Sequence, residues 1–149
     1  AVGGDESACA SALDRAERLF DKADRTRDPQ WIGYFDEAYM SAKFGHCFVA
    51  LGRGDIARRF ATRSLEMDGS KYARGRQFNL ALLAFAYVQS GEPEEASRVG
   101  IQAIEAAAGL QSARVNDYLA ELADRLGRHV GLSSVRDFSD RVKSRTIAV

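Results

Sequence analysis

The feature that most constrains this chain is a helix–turn–helix unit that occurs twice, over residues 44–67 and 83–106. Its turn glycines, Gly52 and Gly91, are 39 residues apart. Large apolar residues recur where a helix would fill space, and small residues recur where two helices would cross closely. The matching pairs are Phe44 with Leu83, Gly45 with Ala84, Phe48 with Tyr87, Ala57 with Ala96, Ala61 with Gly100, Ser64 with Ala103 and Leu65 with Ile104. This pattern predicts an all-α fold of stacked helix pairs.

Hydrophobic periodicity divides the chain into about seven helices in a single domain over residues 1–149. The helix from about Tyr72 to Ser90 is apolar on nearly all sides, so we expect it in the middle of the molecule. Asp36 is predicted to cap the helix that ends at Leu51. The other predicted helices cover residues 6–25, 55–67, 93–109, 112–128 and 133–143, with a frayed tail from about Ser144.

The segment Gln30–Phe35 is the most aromatic part of the sequence, with Trp31, Tyr34 and Phe35 within five residues. Three aromatic rings so close together favour a plug, in which the rings fill the space between helices, over an exposed surface that binds a ligand. Asp28 and Pro29 precede it, and this pair is typical of an N-cap followed by the first residue of a helix. We therefore expect a helical segment to begin here and its rings to be buried.

Composition excludes several classes of function. Lys and Arg together equal Asp and Glu at 21 each, whereas a duplex-DNA-binding domain usually carries a concentrated basic excess. No apolar run approaches the roughly 18 residues that span a bilayer, so we expect no membrane association and a cytoplasmic location. Cys9 and Cys47 are expected to be reduced, buried thiols.

The sequence offers no catalytic constellation. His46 and Cys47 are adjacent, but neighbours on a helix point about 100° apart and would not converge on one metal ion. No serine-hydrolase, phosphate-loop or zinc-protease motif is present. We therefore predict a protein that is not an enzyme and needs neither metal nor cofactor. His46 itself is open to two interpretations, a hydrogen-bonded structural residue or a pH- or ligand-responsive one.

The repeated unit resembles the tetratricopeptide repeat, a 34-residue helix–turn–helix that stacks into a right-handed superhelix. Residues 38–71 and 77–110 fit as full repeats, and residues 6–25 are similar to the second helix of a preceding repeat. Gly127 is placed as a third equivalent turn glycine. The resemblance thus implies a solenoid of about seven antiparallel helices, in which helices over residues 112–143 form the cap.

A narrower resemblance is to the C-terminal region of actinobacterial helix-turn-helix transcriptional regulators. It is carried by Asp28-Pro29-Gln30-Trp31, Tyr34-Phe35-Asp36-Glu37-Ala38, Gly91-Glu92-Pro93-Glu94-Glu95-Ala96 and Val135-Arg136-Asp137-Phe138. It implies a sensor or dimerisation domain of a transcription regulator, a homodimer that touches DNA only indirectly, through a domain not found in this chain. It also implies a signalling peptide as ligand. The alternative is a general protein–protein scaffold with no small ligand.

In a tetratricopeptide stack the first helix of each repeat lines the concave groove, and the mapped positions here are aromatic and apolar in the middle and charged at the ends. They are Tyr39, Lys43, His46, Phe78, Leu82, Phe85, Gln89, Arg114, Asp117, Glu121 and Arg125. This mixture suits an extended peptide as partner. The alternative is that the central apolar residues are covered by neighbouring helices and the groove is filled.

A second candidate surface is basic. Residues 53–76 carry seven basic against three acidic residues, and residues 92–106 carry an acidic excess. Arg58, Arg59 and Arg63 are therefore candidates for contact with a partner or a second copy of the chain. The simpler interpretation is two solvated helix faces.

Overall fold

The computed structural model describes residues 5–67, 72–106 and 113–147, with side chains to residue 145. These ranges contain seven α-helices, three short 3-10 helices and no β-strand, which confirms the predicted all-α class. The α-helices are α1 (Glu6–Lys22), α2 (Glu37–Ala50), α3 (Gly54–Ser64), α4 (Ala73–Gln89), α5 (Pro93–Glu105), α6 (Ala113–Leu126) and α7 (Ser133–Ile147). None of the helices in these ranges is both long and apolar enough to cross a membrane.

Local chemistry explains where several helices begin. The Asp36 carboxylate accepts a hydrogen bond of 2.8 Å from the Tyr39 amide, so Asp36 caps α2 as predicted. Asp5 caps α1 in the same way through the Ala8 amide. Pro93 opens α5, where its missing N–H costs no helical hydrogen bond. Capping aspartates and a proline thus define where these helices begin, which apolar periodicity alone does not.

The two predicted repeat turns have the same geometry. Gly52 has a φ of 74° and Gly91 a φ of 76°, values in the left-handed region that favours glycine. The Arg53 amide donates to the Phe48 carbonyl oxygen at 2.9 Å, and the Glu92 amide donates to the Tyr87 carbonyl oxygen at 3.0 Å. Both turns are therefore Schellman caps, which supports the equivalence of the α2–α3 and α4–α5 hairpins.

The prediction for Gly127 is wrong. This glycine lies in a short 3-10 helix, Gly127–His129, and is not among the residues with positive φ. A 3-10 turn continues α6 without a left-handed residue, so no Schellman cap forms. The junction between α6 and α7 therefore differs from the two repeat turns.

The helices pack in sequence, α2 on α3, α3 on α4 and α4 on α5, and α6 and α7 then cover α4 and α5. The helix α4 is buried over most of its length, as its uniform apolar composition predicts. The main core joins α4 and α5 to α6 and α7 through side chains that are fully or nearly fully buried. They include Leu82, Val99, Val115, Leu119, Leu122, Val135 and Phe138.

Small residues lie where helices cross, as the repeat pattern predicts. Ala57, Ala61, Ala96 and Ala103 are all 0% exposed. A Cβ atom on Gly100 would lie 2.7 Å from the Phe138 ring, which is closer than carbon atoms approach. The small alanine side chains, and the absence of one at Gly100, allow the backbones to approach closely.

Several predicted boundaries need correction. The helix α1 ends at Lys22 rather than residue 25, and α3 ends at Ser64 rather than residue 67. The last helix continues to Ile147, so residues 144–147 are helical where a frayed tail was expected. The predicted N-cap Ser112 and the predicted helix end at 109 lie outside the described residues.

The aromatic segment before α2 is also different from the prediction. Only one 3-10 turn forms, Gln30–Ile32, with Pro29 at its N-cap position. Phe35 is half-buried and its ring centre lies 5.9 Å from that of Phe20, as expected for a plug. Trp31 is 73% exposed and Tyr34 is 45% exposed, so two of the three rings face solvent instead.

The first helix is attached to the rest of the molecule by sparse contacts. Cys9 is its one buried residue, Leu13 packs against the small cluster around Phe48, and Glu6 pairs with Arg53. Leu19 is 61% exposed although it lies on the predicted apolar face. The C-terminal half of α1 therefore stands away from the core.

Candidate functional site

A pocket of about 150 Å³ lies between α2 and the first turns of α4 and α6. Tyr39, Lys43 and His46 reach it from one face of α2, because residues spaced by four and three share a helix face. Phe78 lines it from α4, and Arg114 from α6. Five of the eleven residues predicted for the groove thus meet in one place.

The pocket carries two cations that have no carboxylate partner among the described residues. The Lys43 ammonium lies 4.7 Å from the centre of the Tyr39 ring, and the Arg114 guanidinium lies 5.2 Å from that of Phe78. Neither forms an ion pair with any residue in the described ranges. Eight of the other arginines there do, namely Arg18, Arg25, Arg53, Arg58, Arg63, Arg98, Arg125 and Arg141. The carboxylates of the described residues therefore leave the positive charge in the pocket unneutralised.

His46 responds to this environment. Its ring is half-buried, and desolvation followed by the charges of Lys43 and Arg114 lowers its pKa below 6.5. The imidazole is consequently neutral at pH 7. An anion between the two cations would oppose their effect and raise the pKa of His46.

The middle of the predicted groove is filled by Tyr118 of α6. Its ring centre lies 5.9 Å from those of Phe78 and Phe85 and 6.2 Å from that of His46. Leu82 is 1% exposed and Phe85 is 3% exposed, so neither is accessible to a ligand. The sequence mapping missed Tyr118, although it lies one helical turn after Arg114.

The remaining groove candidates have other contacts. The Gln89 side-chain amide donates a hydrogen bond of 2.7 Å to the Val49 carbonyl oxygen, which ties the two hairpins together. Glu121 pairs with Arg125 at 2.7 Å, and the Arg125 guanidinium lies 5.2 Å from the Phe85 ring centre. Asp117 is exposed and does not line the pocket. None of these residues lines the pocket.

The pocket opens into a longer depression at the other end. A cavity of about 440 Å³ shares Tyr39 with it and adds Tyr34 and Tyr72. A further cavity of about 520 Å³ shares those two tyrosines and extends to the exposed Trp31. These neighbouring cavities share lining residues, and we name them together the aromatic channel, from Trp31 through Tyr34, Tyr72 and Tyr39 to the pocket at Arg114.

The predicted basic partner surface is largely neutralised. Arg58 pairs with Glu92 at 2.7 Å and lies 5.6 Å from the Tyr87 ring centre, and Arg63 pairs with Glu37. Arg59 is exposed and forms no ion pair with the described part of the chain. The three arginines therefore do not present a concentrated positive patch.

The described residues do not include a cluster of His, Cys, Asp or Glu that could hold a metal ion. Burial and the neighbouring Cys9 thiol raise the pKa of the Cys47 thiol, which keeps it protonated and weakly nucleophilic. The channel offers aromatic surface and the positive charges of Lys43 and Arg114.

Comparison with protein-family models, curated proteins and solved structures finds no match to this chain. The function has to be inferred from the aromatic channel and its charges.

Proposed function

We propose that the chain is a non-catalytic sensor and interaction domain that binds an extended peptide segment in the aromatic channel. The observation that carries this proposal is that Lys43 and Arg114 line one pocket and form no ion pair with the described residues. A carboxylate placed between them would form charge-assisted hydrogen bonds, which are shorter and stronger than neutral ones. The bound group is therefore an acidic side chain or the carboxyl terminus of the peptide.

The rest of the channel suits the apolar side chains of the same peptide. Trp31 and Tyr34 are exposed rings that offer a large contact area with few rotatable bonds. Aromatic residues and arginine are enriched among the residues that dominate binding energy at protein interfaces. An extended peptide would lie across the tyrosines and end with its anionic group at Arg114.

The pKa of His46 would change when a ligand occupies the pocket. Since Lys43 and Arg114 both lower its pKa, a bound carboxylate that neutralises them makes protonation of His46 more favourable. Binding would then be accompanied by proton uptake near neutral pH.

The resemblance to actinobacterial regulators supports the proposal that this peptide-binding activity belongs to a transcription regulator. In that setting the chain is a cytoplasmic sensor or dimerisation domain whose contact with DNA is made by a separate domain. The alternative of a scaffold that docks through Arg58, Arg59 and Arg63 is less favoured, because two of these three arginines already have carboxylate partners.

The test uses fluorescein-labelled pools of short peptides in which one position is fixed as Glu, Lys or Leu. Each pool is made with a free and with an amidated carboxyl terminus, and binding is followed by fluorescence anisotropy. We expect Glu pools or free-carboxylate pools to bind and Lys pools to fail. Loss of one charge-assisted contact in Lys43→Gln or Arg114→Gln should weaken binding by about tenfold or more.

The matched control is Arg59→Gln, which removes an exposed arginine with no ion pair to the described residues. It should bind as the unmodified chain does. Equal affinity of acidic and basic pools, or equal losses in Arg59→Gln and Arg114→Gln, would contradict the proposal.

A further inference from the structure

A separate cleft of about 500 Å³ lies between the C-terminal half of α1 and the start of α2. Its surface is almost entirely apolar. The side chains that define it are Leu19, Phe20, Ile32, Phe35, Met40 and Phe44. This cleft is not part of the aromatic channel, although Lys43 lies on the ridge between them and lines both.

The cleft exists because α1 leaves the core after its first two turns. Met40 and Phe44 are 8% and 4% exposed and form a floor that belongs to the packed helices. Leu19 is 61% exposed and forms a wall that faces the opening. Because the apolar wall and the apolar floor are not in contact, water fills the space between them, and hydrating these surfaces costs free energy.

The charges at the rim are unequal. Arg25 pairs with Asp28 at 2.9 Å and lies 4.8 Å from the Phe20 ring centre, so this pair is neutral as a unit. Lys43 is the remaining charged residue that lines the cleft, and no described carboxylate pairs with it. The rim therefore presents one uncompensated positive charge next to an apolar interior.

We propose that this cleft binds an amphiphilic small molecule with a straight apolar chain and a single anionic head, such as a medium-chain fatty acid. The chain would lie between Leu19, Phe35 and Phe44, and the carboxylate would pair with Lys43. The site is independent of the aromatic channel except for the shared Lys43.

The dimensions favour a small ligand over a protein. Ligand pockets in proteins typically measure about 300–1,000 Å³, which includes this cleft. A stable protein interface needs on the order of 1,000 Å² of buried surface. On α1, Leu19 is the large apolar side chain that is mostly exposed, so the helix offers too little apolar surface for such an interface.

The first experiment titrates the chain with dodecanoate, kept below its micelle concentration, by isothermal titration calorimetry. We expect saturable binding at one site and a rise in melting temperature, because a ligand that binds only the folded state stabilises it. Dodecanol and dodecyltrimethylammonium have the same tail with a neutral or cationic head. They should bind about tenfold more weakly or not at all, since neither can pair with Lys43.

Variants locate the site. Leu19→Glu places a carboxylate in the opening of the cleft, and Ala16→Trp fills its interior. Both positions are exposed, so we expect both variants to keep the fold. Each should abolish dodecanoate binding. Ala10→Glu is the matched control, since it makes the same change of charge at an exposed residue on the opposite side of α1. Unchanged binding in both Leu19→Glu and Ala16→Trp would overturn the proposal.

Two further variants separate the two sites. Lys43→Gln should weaken dodecanoate binding by about tenfold, whereas Arg114→Gln should leave it unchanged, because Arg114 lines only the aromatic channel. Peptide binding should instead be lost in Arg114→Gln and kept in Ala16→Trp. Dodecanoate affinity that does not change in Lys43→Gln would overturn the head-group assignment.

Light scattering tests the competing occupant, a second copy of α1. A dimer that becomes monomeric in Leu19→Glu, but not in Ala10→Glu, would show that the cleft is a protein interface and would overturn the proposal. A mass that is the same in both variants, together with dodecanoate binding, supports the small-ligand site.

Discussion

Gly45 and Leu82 meet where α2 crosses α4, and a Cβ atom on Gly45 would lie only 2.9 Å from Cδ2 of Leu82. The same Cβ would lie 3.5 Å from the Ala61 amide nitrogen, so α3 also limits the space. Leu82 is buried and cannot turn toward solvent. This contact fixes how closely the first hairpin approaches the second, and it makes Gly45 a direct probe of the packing.

Replacement of Gly45 by alanine should destabilise the protein by about 1–3 kcal/mol, because overpacking forces either the helices or Leu82 to move. Urea denaturation measures the change. Gly127→Ala is the control, since a Cβ there meets no atom within 4 Å and its φ is not positive. A Gly45 variant as stable as the Gly127 variant would contradict the described crossing.

The two repeat turns should respond equally to substitution. A Cβ on Gly52 or Gly91 meets no atom within 4 Å, so the cost of alanine comes only from the left-handed backbone. We expect each variant to lose about 1–2 kcal/mol of unfolding free energy. Gly127→Ala should lose none. Thermal melts of the three variants check whether the hairpins are equivalent, and unequal losses at the two turns would argue against it.

The buried amide of Gln77 offers a stabilising substitution. This side chain is 0% exposed, and both its oxygen and its nitrogen lack a hydrogen-bond partner among the described residues. Methionine has a similar length without the desolvation penalty of an unpaired amide. Gln77→Met should therefore raise the unfolding free energy by about 1–3 kcal/mol.

The comparison for Gln77 is Asn79, a buried amide on the same helix that does have partners. It donates a hydrogen bond of 2.9 Å to the Ser64 carbonyl oxygen. Asn79→Leu should lower the unfolding free energy, because it leaves that carbonyl without its donor. Calorimetric melts of the Gln77 and Asn79 variants measure both changes. A Gln77→Met variant that melts below the unmodified chain would show that the amide has a partner in solution.

The lowered pKa of His46 predicts how stability depends on pH. The unfolded chain binds a proton at this residue near pH 6.5, whereas the folded chain binds it only at lower pH. Between the two pKa values the unfolded state holds more protons, so stability is fully present above pH 6.5 and is lost as the pH falls toward the folded value. Urea titrations across this range measure the slope, and His46→Gln should reduce it.

Ligand binding should show the opposite trend in affinity. An anionic peptide group between Lys43 and Arg114 raises the pKa of His46, so affinity should increase as the pH falls from about 7.5 to about 6. Calorimetry in buffers of different ionisation enthalpy would detect the proton uptake. An affinity that does not change with pH would show that protonation of His46 is not coupled to binding of the anion.

The hairpins could be predicted from the sequence because their signals are local. Gly52 and Gly91 each need only their own turn to adopt positive φ, and Asp36 needs only the first turn of α2 to act as a cap. The burial of α4 follows from its composition. In these cases the residues that decide the structure lie within a few positions of each other.

The filled groove could not be predicted in this way. The position of Tyr118 against His46 and Phe85 depends on the angle at which α6 packs on α4, which the helical period does not fix. The exposure of Trp31 and the cleft beside Leu19 have a similar cause, since both depend on where α1 and the segment before α2 stop following the core. Apolar periodicity identifies a face that prefers burial, but it does not show whether a partner reaches that face.

The sparse attachment of α1 gives the molecule two levels of cooperativity. Its contacts through Cys9, Leu13 and the Glu6–Arg53 pair are few, while α4 to α7 share one continuous core. Local opening of α1 therefore requires much less free energy than global unfolding, and its amide hydrogens would exchange with solvent while those of α4 remain protected. We therefore expect the first helix to unfold as a separate unit.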